Sequence, residues 1–301
     1  MGCGHGRTVE KKGKGGKFKF PECSFSINCN CEISCMELVD KSKILLGTEN
    51  EIKLLNLSSN EPKTIFNEHK GIINFILKLK SGLYASAGQD KIIKIWDINE
   101  KISKMTFEGH TSMIWTLTES LDERLISGAD DKKIIVWDLK MKKMDFVLYE
   151  CKGEISSLLT LKDGKIVSGT GDNKLRVWNL NKKEIVKEIN CEFSAWCLKL
   201  VNDKRFGAGM GNGDILIYNI DNFNCEIILK GHKRTINCLL ILNDNVLISG
   251  SDEKDMIQWN LNDPDSKYII KGHENGISSI IKIDEGRFAS SSKDKFVKIW
   301  E

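Results

Sequence analysis

One large aromatic residue returns at a nearly constant interval along this chain of 301 residues. Trp96, Trp137, Trp178, Tyr218, Trp259 and Trp300 are separated by 41, 41, 40, 41 and 41 residues, and one further step back from Trp96 lands on Leu55. Seven copies of one unit therefore run from near residue 28 to the last residue. A unit of this length cannot bury its own apolar face, so the copies must stack and share a core. The repetition overrides the two domains that length alone would suggest.

The unit reads as β-structure. Phe107–Thr118, Arg124–Asp131 and Lys133–Leu139 contain three short β-rich runs separated by polar turns, and Ile102–Phe107 supplies a fourth before them. The runs are too short for helices, and helical periodicity is weak throughout. Four short strands per ~41 residues is the period of a propeller blade. The fold class that follows is all-β, a seven-bladed β-propeller with four-stranded blades.

The residues that frame the units carry a resemblance. Gly109-His110 opens one and Trp137-Asp138 closes it; Gly231-His232, Gly272-His273 and Trp96-Asp97 match the same positions. Over residues ~18–301 the chain resembles the WD-repeat (tryptophan–aspartate) β-propeller family. The resemblance implies a hydrogen-bonded chain inside each blade, from the Trp indole through a Ser and the repeat His to an Asp in a tight turn. His69, Ser86, Asp90 and Trp96 stand at matching offsets, as do His110, Ser127, Asp131 and Trp137, and His273, Ser290, Asp294 and Trp300. An acid–imidazole–hydroxyl series invites a catalytic reading. It recurs in blade after blade at interior positions, whereas a hydrolase needs one site with an exposed nucleophile. No catalytic residue, metal or cofactor is expected, and the chain is not expected to be an enzyme. Cys23, Cys29, Cys31 and Cys35 are crowded but lack paired Cys-x-x-Cys knuckles. The glycine-rich run from Gly207 to Gly213 opens no helix and so lacks the context of a phosphate loop.

Some units depart from the pattern. The fourth has Cys151 in place of His beside Ser168, Asp172 and Trp178. The fifth has Cys191, Ala208, Asn212 and Tyr218, so its polar chain should be largely absent. The sixth offers Asp252 or Glu253 to His232, and the first has Leu45 and Leu55 where Ser and Trp are expected.

The chain stops at Trp300-Glu301, right after the third strand of the seventh unit, which leaves its outer strand missing. Residues 17–27 precede the first unit and alternate apolar and polar near both ends; Pro21 suits a sheet edge. This N-terminal segment is expected to close the last blade. The division that follows is a flexible, basic, glycine-rich tail at 1–16 and one propeller at 17–301.

Two tryptophans, Trp115 and Trp196, fall off the ladder, each five residues past a His position. The resemblance implies that the third and fifth residues after the His, and the residue before the turn Asp, border the channel on the narrower top face. That places Met113, Trp115 and Asp130 together with Glu154, Ser156, Gly171, Ser194, Trp196 and Gly211. Ile72, Asn74, Gln89, Thr235, Asn237, Asp252, Gly276, Ser278 and Lys293 follow by the same rule, with Glu32, Ser34 and Thr48 on the first unit, where the spacing shifts by one residue. Aromatic and Met anchors within a polar, mildly acidic ring suit a protein or peptide partner.

Charge is uneven. The net value is +3, yet residues 1–20 set six basic residues against Glu10, so this head carries +5 and the rest of the chain −2. Lysines without interleaved aromatics do not suit specific nucleic-acid binding. Met1-Gly2-Cys3 offers Gly2 for myristate and Cys3 for palmitate, although Gly6 stands where Ser or Thr is preferred. Two acyl chains, or one chain with the basic run, would anchor the head to a membrane surface. Without a secretory leader or an apolar run of ~18 residues, the ten cysteines read as cytoplasmic thiols. The function expected is a non-catalytic scaffold or adaptor, a monomer within a larger complex. The alternatives are an acylated, membrane-tethered signalling or trafficking platform and a substrate-receptor subunit of an enzyme complex such as a ubiquitin ligase. Because the first and fifth units lack the polar chain, their amides should exchange hydrogen fastest; a blade-resolved exchange experiment showing uniform protection would contradict this.

Overall fold

The computed structural model describes residues 21–301. These form twenty-eight strands in seven antiparallel sheets of four. From inner to outer strand, blade 1 spans Cys35–Phe66, blade 2 Ile73–Phe107, blade 3 Ile114–Leu148, blade 4 Ile155–Asn190, blade 5 Ala195–Leu229 and blade 6 Ile236–Ile270. Blade 7 takes three strands from Ile277–Trp300 and its outer strand from Cys23–Asn28. Innermost strands touch in sequence order, and that of blade 7 touches that of blade 1, so the sheets form a closed ring.

Burial follows from sheets packed on both faces. The second and third strands of blade 3, Leu125–Ala129 and Ile134–Asp138, are buried almost throughout, so they read as continuous apolar or small runs. The outer strand Lys143–Leu148 is largely exposed and charged at its start. Seven hydrophobic cores result, each shared by two neighbouring blades. Blades approach closely where strands carry glycine: a Cβ at Gly128 would run into Ile155 of blade 4.

Closure is made by pairing the two ends of the chain. Cys23 lies opposite Trp300, Ile27 opposite Val297 and Asn28 opposite Phe296. Glu22 and Glu301 exchange two backbone hydrogen bonds of 3.0 Å. The strand is shorter than the expected span 17–27 and shifted along it: it begins two residues after Pro21, which has no N–H to give, and runs one residue further to Asn28. Residues 17–20, the division at 16/17, and Gly2 and Cys3 lie outside the described residues.

Within the blades the ladder tryptophans Trp96, Trp137, Trp178, Trp259 and Trp300 are fully buried. In blade 3, Trp137 Nε1 donates to Ser127 Oγ at 2.8 Å, Ser127 lies 2.7 Å from His110 Nε2, and His110 Nδ1 faces Asp131 at 2.9 Å. Asp131 also accepts from the amides of Thr111 and Lys133, so one carboxylate fixes both the entry loop and its own turn. Blade 2 repeats this with Trp96, Ser86, His69 and Asp90, and blade 7 with Trp300, Ser290, His273 and Asp294. In blade 6 the carboxylate facing His232 is Glu253, at 2.9 Å, not Asp252. The glycine before the His has a steric reason: at Gly231 and Gly272 an added Cβ would stand 2.7 Å from the indoles of Trp259 and Trp300.

Blades 4, 5 and 1 solve the same space differently. Cys151 leaves room into which Arg176 reaches; its guanidinium grips both oxygens of Asp172, donates to Thr170 at 2.7 Å, and binds Glu188 at 2.8 Å. Arg176 is 1% exposed, and burial pushes the Cys151 thiol up to about 12. In blade 5 Tyr218 stacks on Phe206 at 5.3 Å, and its hydroxyl meets Cys191 Sγ at 3.6 Å. Blade 1 drops polarity altogether, with Leu45 and Leu55 fully buried.

The clamp makes a pH-dependent contribution. The Arg176 guanidinium, aided by Thr170 and opposed by burial, lowers the Asp172 carboxyl to about 2 from 3.8. A depressed carboxylate stabilises the fold above its unfolded value, and that stabilisation is lost as pH falls from about 3.8 to about 2. Arg176→Met should therefore destabilise by about 3 kcal/mol near neutral pH. In urea unfolding, the gap from the native protein should narrow through that acid window; an equal gap at every pH would refute the assignment.

Candidate functional site

On one end of the ring lie the loops that lead into each inner strand and the turns between second and third strands. Blades 2 to 7 build this face in the same way, whereas in blade 1 the Thr48 amide donates to Glu51 instead. The amide of the residue before the turn carboxylate donates to the carbonyl three residues past the His position: Asp130 to Met113 at 3.0 Å, Gly171 to Glu154 at 2.9 Å, Gly211 to Ser194 at 2.9 Å, Asp252 to Thr235 at 3.1 Å and Lys293 to Gly276 at 3.0 Å. These bonds extend the inner hairpin and hold both residues of each pair at the channel mouth.

The residue five past the His position has a further use in four blades. Its side chain donates to the first inner-strand carbonyl of the next blade: Ser34 to Ile73 at 2.5 Å, Asn74 to Ile114 at 2.8 Å, Ser156 to Ala195 at 2.6 Å and Asn237 to Ile277 at 2.9 Å. Asn74 and Asn237 thus spend an amide donor on stitching the ring. In blade 7, Ser278 instead bonds Ser291 of its own blade at 2.8 Å.

Blades 3 and 5 carry Trp115 and Trp196 there. Trp115 Nε1 donates to Asp130 Oδ1 at 2.5 Å. The two indoles meet edge to face, with ring centroids 6.2 Å apart and planes at 88°. They touch across blade 4, where the corresponding residue is the small, buried Ser156. Both are half-buried rather than exposed, because each covers part of the other. Met113 is half-buried on blade 3, and Phe193, 39% exposed, stands on the loop before Trp196. Phe193 was not among the residues expected on this face; an aromatic close to Trp196 in a loop is the signal that marks it.

On the other side of the ring the polar residues neutralise one another. Asp252 accepts from Asn237 at 3.1 Å and pairs with Lys293 at 3.1 Å, joining blades 6 and 7. Gln89 and Lys293 are exposed, while Asp130, Asp252, Asn74 and Asn237 are half-buried. The Ser–His–carboxylate series lie elsewhere, inside the blades, with each serine hydroxyl fully buried and already engaged by an indole and an imidazole. Among the described residues no grouping of three or more His, Cys, Asp or Glu is placed to hold a metal ion.

Comparison with known proteins agrees with this construction. Residues 60–97, 101–138, 145–179, 223–260 and 264–301, more than half of the chain, match the WD40 family (WD domain, G-beta repeat). Each match takes in the third strand of a blade and ends at or one residue after its Trp; the units ending at Leu55 and Tyr218, without that Trp, are not matched. No curated protein matches the chain. WD40 propellers are typically non-catalytic scaffolds that bind other proteins. The repeat matches, the ring of seven four-stranded blades and the Trp–Ser–His–carboxylate chains make this chain a member of the WD40 family.

Proposed function

We propose that this protein is a non-catalytic interaction scaffold that docks a partner protein or peptide at the channel mouth around Trp115 and Trp196. One observation carries the reading. At positions where four other blades stitch the ring together, blades 3 and 5 place large indoles that stitch nothing to the next blade and face each other at the surface. Half-buried aromatic anchors inside a polar rim have the composition of interface hot spots. In this reading the protein works as a monomer within a larger cytoplasmic assembly and takes no specific nucleic acid. Replacing both Trp115 and Trp196 by Ala should abolish capture of its cellular partner in a pulldown while circular dichroism and melting stay near native. Undiminished capture by the folded double variant would defeat the assignment.

A second reading adds a tether. Glu22 pairs with Glu301 at the end of blade 7 where the third strand finishes, opposite the Trp115 face. A head acylated at Gly2 and Cys3 would therefore approach a membrane from that opposite end and leave the docking face free. Its basic residues would add about 1 kcal/mol each near anionic lipid. Metabolic labelling with a myristate analogue should mark the native chain and not Gly2→Ala; an unlabelled native chain ends this reading.

A further inference from the structure

Blades 3 to 5 combine two indoles and two glycines at the channel mouth. Before the turn carboxylate, or Asn212 in blade 5, blades 2, 3, 6 and 7 carry Gln89, Asp130, Asp252 and Lys293, whereas blades 4 and 5 carry Gly171 and Gly211. The space is used. The Glu154 carboxylate lies where a Cβ at Gly171 would stand, and the Trp196 indole nitrogen is 3.3 Å from the Cβ site of Gly211. Ser156 lies low enough for Trp115 and Trp196 to meet above it. The result is an indole pair with Asp130 bonded to one member and Glu154 on the blade between them.

Those carboxylates differ from their counterpart across the ring. Asp252 has Lys293, but among the described residues neither Asp130 nor Glu154 has an ion-pair partner. The side-chain partner of Asp130 is the Trp115 indole N–H. Half-buried carboxylates without a countercharge favour a cation, and an indole face attracts one by its quadrupole. An apolar anchor could cover the indoles but would strip water from both carboxylates and pair neither.

We propose that this indole pair and its neighbouring carboxylates receive a lysine or arginine side chain of a partner peptide, its aliphatic stem against Trp115 and Trp196 and its charged head toward Asp130 and Glu154. The inference rests on the proposed docking function and names the chemistry of the partner. It accounts together for the two glycines, the serine between the tryptophans, the indole–carboxylate bond and the missing countercharges.

The test uses the full chain and four nonapeptides of one Gly/Ser sequence with a central Arg, Lys, norleucine or Glu. Binding is followed by the indole N–H resonances of Trp115 and Trp196. The Arg and Lys peptides should shift both resonances, with affinity falling as salt rises, and the norleucine and Glu peptides should not. Asp130→Asn with Glu154→Gln keeps an acceptor for the indole and the side-chain volumes, and should weaken the cationic peptides about tenfold or more. Equal binding of norleucine and Lys, no shift with any peptide, or unchanged affinity in the Asn/Gln variant would overturn the proposal. The partner pulldown separates the two claims. If the Trp double variant loses the partner and the Asn/Gln variant keeps it, the docking face stands and the cation site falls; if both keep it, both fall.

Discussion

The pairing of Cys23–Asn28 with Phe296–Trp300 is the contact on which the rest depends. A stack of sheets with open ends would leave two apolar faces in water, and the third strand of blade 7 would present a row of unpaired backbone groups. Joining the ends removes both faults at once. The core beneath the joint draws on both termini, with Ile27, Cys29 and Ile33 packed against Ile283, Val297 and Ile299. The rigid frame behind the docking face is therefore held by residues some 270 positions apart in the chain. Contacts of such separation form late in folding, because loop-closure entropy must be met first.

Given a closed ring, each blade must fill a fixed volume near its Trp position and leave no buried polar group alone. The seven blades show four ways to do this, one of them the Tyr218–Cys191 contact of blade 5. Blades 2, 3, 6 and 7 use the full Trp–Ser–His–carboxylate chain. Blade 1 removes every polar member together, with Leu45 and Leu55. Blade 4 loses only the His and restores a partner to Asp172 with Arg176. Removing one member alone would leave a buried charge or donor uncompensated, at a cost of several kcal/mol. The degenerate blades thus respect the rule that produced the regular ones.

The same logic explains what sequence could reveal. The 41-residue period reports strand order and blade number directly, since every unit repeats the same buried third strand. The closing strand was legible as a leftover segment facing a missing strand. The clamp in blade 4 was not: Arg176 lies on the third strand opposite Glu188 and bends back to a turn residue, a meeting fixed by hairpin register rather than by spacing in a motif. Asp252 and Glu253 were equivalent candidates for His232 until backbone geometry turned one inward and the other toward Lys293. Trp115 and Trp196 stood out by falling off the ladder, but their contact spans an intervening blade, so only the curvature of the ring brings them together.

Structural and functional information therefore occupy different positions of one repeat. Whatever recurs with the period serves the blade: the indole, the serine, the histidine, the turn carboxylate and the stitching side chain. A partner cannot be selected by features present alike on every blade, because a symmetric ring offers seven equivalent orientations. Specificity has to come from positions that break the period while the frame stays intact. Gly171, Gly211, Trp115 and Trp196 are breaks of this kind, confined to three adjacent blades and clear of the buried networks, and Asp130 differs from its counterpart Asp252 in having no lysine partner.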